Sequence, residues 1–78
     1  MKIGIVGAGM VGSSAGYAIA LTGIASSVIF VDRNVDLARA QAEDISHAVP
    51  FMSSCVVHAG DYADLKGASV VILAAGVS

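Results

Sequence analysis

The chain has 78 residues, 56% of them hydrophobic and only 13% charged, with a formal net charge of −2. That length admits one small domain with a marginal core of its own, and the mild acidity gives no electrostatic case for nucleic acid or an anionic membrane. The single cysteine, Cys55, excludes an internal disulfide and is compatible with a reducing compartment.

The first predicted element is the strand KIGIVG (2–7), rich in Ile and Val. MVGSSAGYAIALTG (10–23) is long enough for a helix, with Gly23 as its C-terminal stop. It is apolar nearly all round and is expected to be buried. SVIFVD (27–32) reads as a second strand closed by an aspartate. VDLARAQAEDISHAV (35–49) is a second helix. Ala38, Ala42, Ile45 and Val49 share one face of it, Asn34 caps its start and Pro50 closes its end. SCVVHAG (54–60) is a third strand, DYADLKG (61–67) a turn or a single helical turn, and ASVVILAAG (68–76) a continuous apolar strand expected to be covered on both faces.

No charged residue occurs between Ile3 and Val31. A membrane-spanning helix needs about 20 mostly apolar residues, and a signal peptide needs a basic start, an apolar run and a small-residue cleavage site. Six glycines and four serines interrupt this run, at positions that a soluble fold explains better. The alternation β-α-β-α-β-turn-β predicts an α/β fold, the N-terminal half of a Rossmann doubly wound parallel sheet. With right-handed crossovers the expected strand order is 3-2-1-4, and strands 1 and 4 flank the switch point at which such sheets bind ligands.

Gly7-Ala8-Gly9-Met10-Val11-Gly12 is a G-x-G-x-x-G motif placed directly after a strand and opening a helix. Each glycine has its own reason. Gly7 permits the tight turn out of the strand. Gly9 lets a pyrophosphate approach the backbone, and Gly12 lets the helix lie close on the sheet. The uncharged helix start offers free N–H groups and the positive end of a dipole to phosphates. No Lys follows, so the loop is not a mononucleotide P-loop. Asp32 lies twenty residues beyond Gly12, at the end of strand 2. A carboxylate there accepts the adenosine ribose hydroxyls and repels a 2′-phosphate, which favours NAD over NADP; the neighbouring Arg33 pulls slightly the other way.

The remaining candidates are less specific. Small residues at the end of strand 4 (Ala74, Ala75, Gly76, Val77) either let the nicotinamide half of the cofactor cross the sheet edge or simply pack. Tyr62 fits two roles, the adenine side of a site or a surface aromatic, and Leu37 in the first turn of helix 2 is a candidate to pack on the adenine. His47 reads as surface or interface, and His58 and Cys55 as structural. No metal-ligand spacing, nucleophile–base pair or acid–base pair is present, so no catalytic residue is assigned.

The segments IGIVGAGMVGSSAGYAIALTGIASSVIFVDRN, AEDISHAVPF and ASVVILAAGVS resemble the N-terminal part of the lactate/malate dehydrogenase family, and together the resemblance covers the whole chain. The glycine motif is common to many Rossmann enzymes. The D-I-x-H-A-x-P-F segment and the A-A-G-V ending are more specific. The lactate branch is the closer match and the malate branch ranks second. The resemblance implies a cytoplasmic NAD-dependent 2-hydroxy-acid dehydrogenase, usually a homotetramer, with the helix around Asp44–His47 packed against another subunit. It points to Val11, Asp32, Leu37, Tyr62, Gly76 and Val77 as cofactor contacts, although Leu37 stands where bacterial members often carry Lys or Arg. With the motif residues Gly7, Gly9, Met10 and Gly12, and with Ala75, these make up the candidate cofactor site. The family's proton relay and substrate-binding arginines are expected beyond Ser78, where its mobile substrate loop begins. Residues 1–78 alone are therefore expected to be the N-terminal portion of a dinucleotide-binding domain, without activity in isolation. The competing reading is a non-catalytic NAD-sensing regulatory module, which shares the glycine turn and the strand 2 acid but lacks the D-I-x-H-A-x-P-F segment.

Overall fold

The structure, a computed structural model, describes residues 1–48 and 54–74. It contains β1 (Lys2–Val6), α1 (Met10–Thr22), β2 (Ser27–Val31), α2 (Val35–Ala48), β3 (Val56–Ala59), a 3-10 turn (Tyr62–Leu65) and β4 (Val70–Leu73). The expected ends of α2 at Val49 and Pro50 lie outside the described residues. The four strands form one parallel sheet in the order β3-β2-β1-β4, as the alternation of strands and helices predicts. Among the described residues, no helix is long and apolar enough to cross a membrane.

Local chemistry sets the element boundaries. Gly23 takes φ 69° at the C-terminal end of α1, the left-handed geometry that ends many helices and suits glycine. Asn34 starts α2, with its Oδ1 accepting the Leu37 N–H at 3.0 Å, so one orphan donor of the first turn is satisfied. The Asp61 and Asp64 carboxylates form a reciprocal box around the 3-10 turn, which satisfies two further donors.

Residues alternate between the two faces of the sheet. Ile3, Ile5, Val28, Phe30 and Val57 form the main core together with Ala20 of α1 and Ala38, Ala42 and Ile45 of α2. Both helices thus lie on one face. The other face holds Val6, Ile29 and Val31, with Leu65 packed against them. Leu65 lies over Gly4, where an added Cβ would overlap the leucine side chain.

Two burial expectations differ from what is observed. The buried residues of α1 are Gly12, Gly16 and Ala20 alone, while Tyr17 and Leu21 are exposed. The helix meets the sheet along a line of very small residues, and no described element covers its apolar outer side. β4 is also not covered on both faces: Val70, Val71 and Leu73 are exposed. It is an edge strand, paired only with β1 among the described residues.

The close approach of α1 depends on Gly16, whose Cβ, if present, would run into the ring of the fully buried Phe30. Ala is favoured over Gly in a helix by about 1 kcal/mol, but overpacking of a closed core costs about 1–3 kcal/mol. Gly16→Ala is therefore expected to lower the urea midpoint, while Ser14→Ala on the exposed side leaves it within experimental error. A Gly16→Ala protein as stable as wild type would show that α1 does not sit this close to Phe30.

Candidate cofactor site

The carboxyl ends of β1 and β2 are brought together by their register, in which Val6 pairs with Val31. The next residue on each strand is then Gly7 and Asp32. Gly7 has φ 109°, a region closed to residues with a side chain except under strain. Its N–H donates to the Val31 carbonyl at 2.8 Å. The following N–H, from the fully buried Ala8, donates to Asp32 Oδ2 at 2.7 Å. Gly9 is extended, and α1 begins at Met10. The turn thus reverses the chain within three residues.

The start of α1 meets the requirements of an anion site. It has no side-chain cap and no acidic residue in its first turn. Its first internal bond runs from the Ser13 N–H to the Gly9 carbonyl at 2.9 Å, so the N–H groups of the preceding positions precede the helical ladder. The Ser13 hydroxyl donates to the Ala8 and Gly9 carbonyls and stays clear of those N–H groups. A Cβ built on Gly9 finds no atom within 4 Å, so the space in front of the loop is open. At Gly12, by contrast, a Cβ would overlap the Gly7 carbonyl oxygen. The three glycines therefore serve three separate needs: a positive φ, open space, and close backbone packing.

Asp32 stands beside this turn. Its Oδ1 accepts the Asn34 N–H at 2.8 Å while Oδ2 accepts that of Ala8. The Ala8 bond, then the Asn34 bond, hold its carboxyl below the usual carboxylate range. The group is ionised at neutral pH, and each oxygen keeps lone-pair capacity for a further donor. Next to it lies a cleft of about 160 Å³ lined by Asp32, Val35, Ala38, Arg39, Ala59, Gly60 and Asp61.

Met10 and Val11 are exposed at the start of α1. Leu37 packs against the main core, and the α2 side chains lining the cleft are Val35, Ala38 and Arg39. Tyr62 is exposed on the 3-10 turn. Ala75, Gly76 and Val77 lie outside the described residues. Val35, Arg39 and Asp61 went unnoticed in the sequence, and their only signal there is proximity to Asp32 and to the end of β3. A larger groove of about 400 Å³ lies between α1 and α2, lined by Ser13, Ser14, Tyr17, Gln41, Asp44, Ile45 and Ala48.

Burial pushes the Cys55 thiol up, which makes it a poor nucleophile. His47 and His58 are both exposed.

Because Gly9 already has a φ that any residue adopts and empties onto open space, Gly9→Val is expected to fold normally while filling the room that a pyrophosphate needs. Calorimetric titration with NADH should show binding to the wild type and none to the variant. Equal affinities would remove the phosphate-cradle reading.

Comparison with known proteins agrees with this geometry. The family model described as lactate/malate dehydrogenase, NAD binding domain, matches residues 1–78. The L-lactate dehydrogenase of Allorhizobium ampelinum is 67% identical over 78 residues, covering 100% of this chain and 25% of its own. The crystal structure of a minor L-lactate dehydrogenase from Enterococcus mundtii, in a ligand-bound form, superposes with a TM-score of 0.91 at 35% identity, over 99% of this chain and 25% of that one. Malate dehydrogenase from Salinibacter ruber superposes with a TM-score of 0.88 at 28% identity, over 99% of this chain and 26% of that one. The chain thus spans about a quarter of the length of these relatives. A glycine turn opening an uncapped helix beside an ionised strand-end carboxylate is what an NAD site requires, and by match and by geometry the chain belongs to the lactate/malate dehydrogenase family as its NAD-binding domain.

Proposed function

We propose that this domain holds NAD for a dehydrogenase that interconverts a 2-hydroxy acid and a 2-oxo acid, L-lactate and pyruvate. The observation that carries the cofactor part is the uncapped start of α1 set against Asp32, whose two oxygens each accept one backbone N–H and have room for more. The pyrophosphate sits on the N–H groups of Met10, Val11 and Gly12, with Gly9 leaving the path to them open. Asp32 accepts the hydroxyls of the adenosine ribose, and the adenine enters the cleft between Val35, Arg39 and Gly60. The nicotinamide half runs toward the carboxyl end of β4, where Ala75, Gly76 and Val77 follow. NAD, when bound, supplies the hydride acceptor. The residues of this chain bind and orient it.

Lactate is preferred to malate because the 67%-identical Allorhizobium relative is an L-lactate dehydrogenase and the ligand-bound Enterococcus structure at 35% identity is one too. The match of the family model to the whole chain favours the dehydrogenase over a nucleotide-sensing regulatory module. The protein works in the cytoplasm as a homotetramer, in which the groove between α1 and α2, with exposed Tyr17 and Asp44 on its walls, faces another subunit.

Two comparisons test this reading on the full-length enzyme. NADH oxidation should be faster with pyruvate than with oxaloacetate, as kcat/KM; the reverse order would assign it to the malate branch. The ratio of kcat/KM for NAD over NADP should favour NAD strongly and fall at least tenfold in Asp32→Ser, since the carboxylate both accepts the hydroxyls and repels a 2′-phosphate. A wild type that uses both cofactors equally, or a ratio unmoved by the substitution, would contradict the role given to Asp32.

A further inference from the structure

We infer that Asp32 has a second role, as the positioning residue of the phosphate cradle: its carboxylate fastens the glycine turn in the shape that receives the pyrophosphate, whether or not a ribose is bound. The inference rests on the cofactor reading above and extends it from the ribose to the phosphates.

The turn between β1 and α1 is held at two successive N–H groups of its own, each donating to an acceptor at the end of β2. The Gly7 N–H donates to the Val31 carbonyl at 2.8 Å. The Ala8 N–H donates to Asp32 Oδ2 at 2.7 Å. The first bond continues the sheet ladder and any residue at position 31 supplies it. The second needs a side chain of a particular length and chemistry at position 32. Ala8 is fully buried while Asp32, itself partly exposed, covers it, so removing the carboxylate takes away the acceptor that fixes this N–H and opens the donor to solvent, and the turn loses its second tie to β2. The residue after Ala8 is Gly9, the point of open approach, so a turn that shifts to find Ala8 a new acceptor shifts the cradle with it.

The other carboxylate oxygen anchors the clamp. Asp32 Oδ1 accepts the Asn34 N–H at 2.8 Å, and Asn34 in turn caps α2 through the Leu37 N–H. One carboxylate thus ties the β1–α1 turn to the β2–α2 connection. The arrangement also explains how an anion is tolerated near a bound pyrophosphate. Two backbone N–H dipoles point at the carboxylate and partly offset its charge, while the N–H groups at the start of α1 remain for the phosphates.

The test separates the two roles of Asp32 in the full-length enzyme. In the cofactor-free protein, hydrogen exchange at the Ala8 amide should be slow in wild type and at least tenfold faster in Asp32→Ser, with the core amides of Ile5 and Phe30 unchanged. Asp32→Asn keeps one acceptor oxygen and should restore much of the protection. The second arm uses an NADH analogue lacking both adenosine ribose hydroxyls. If Asp32 shapes the cradle, Asp32→Ser weakens this analogue by about tenfold and Asp32→Asn recovers most of the loss. Equal exchange at Ala8 in wild type and Asp32→Ser overturns the clamp, as does an analogue that binds wild type and Asp32→Ser equally. Should NADH itself fail to bind the wild type, the cofactor reading falls while the exchange experiment still decides the clamp.

Discussion

The distance between α1 and the sheet is the constraint on which the rest of the structure depends. Gly12, Gly16 and Ala20 recur every fourth residue and form the entire buried line of the helix. The ring of Phe30 fills the space that a side chain at Gly16 would need, and the Gly7 carbonyl fills that at Gly12. With the helix axis this close, its first turn begins directly above the carboxyl ends of β1 and β2. That is where the dipole and the free N–H groups are useful for phosphate. Moving the helix outward by the thickness of a methyl group would lift those N–H groups off the turn that Gly7 and Ala8 define. Core packing and the proposed cofactor cradle therefore depend on the same small residues.

The sheet extends this logic. Parallel register places Gly7 beside Asp32, and the Ala74 N–H donates to the Val6 carbonyl at 2.8 Å, so the end of β4 arrives at the same rim. The glycine turn, the carboxylate and the end of β4 therefore converge without any of them being neighbours in the chain. Charge is spent sparingly at this rim. Asp32, Arg39 and Asp61 surround the small cleft, whereas the first 13 residues after Lys2 carry none. The apolar sides of β4 and the outer side of α1 remain exposed among the described residues.

Much of this was legible in the residues. Short Ile/Val runs separated by helical stretches identify a parallel sheet, because covered strands have no polar side to show. The glycine spacing is weak by itself, but placed directly after a strand and opening a helix, with Asp32 twenty residues beyond Gly12, it points to a dinucleotide. Burial was harder to read. An all-round apolar α1 looks buried, yet its fully buried residues are only Gly12, Gly16 and Ala20, with Ala15 and Ile19 partly covered. A single glycine at position 16 carries no chemical signal until its neighbour is known to be Phe30. Leu37 illustrates a phase problem: successive residues on a helix point about 100° apart, so a first-turn side chain faces either cleft or core according to where the helix starts, and here Leu37 faces the core while Val35 faces the cleft. The hydrogen bond from Ala8 to Asp32 spans 24 positions and depends on strand register, which composition does not reveal.

The central claim is that the turn from Gly7 to Gly12 and the carboxylate of Asp32 form one NAD site. A crystal structure of the full-length protein with NADH tests it most directly. The expected result has pyrophosphate oxygens accepting from the N–H groups at the start of α1, ribose hydroxyls donating to Asp32, and the Ala8–Asp32 bond intact. A dinucleotide seated in the groove between α1 and α2, or one whose phosphates lie away from the start of α1, would contradict the account.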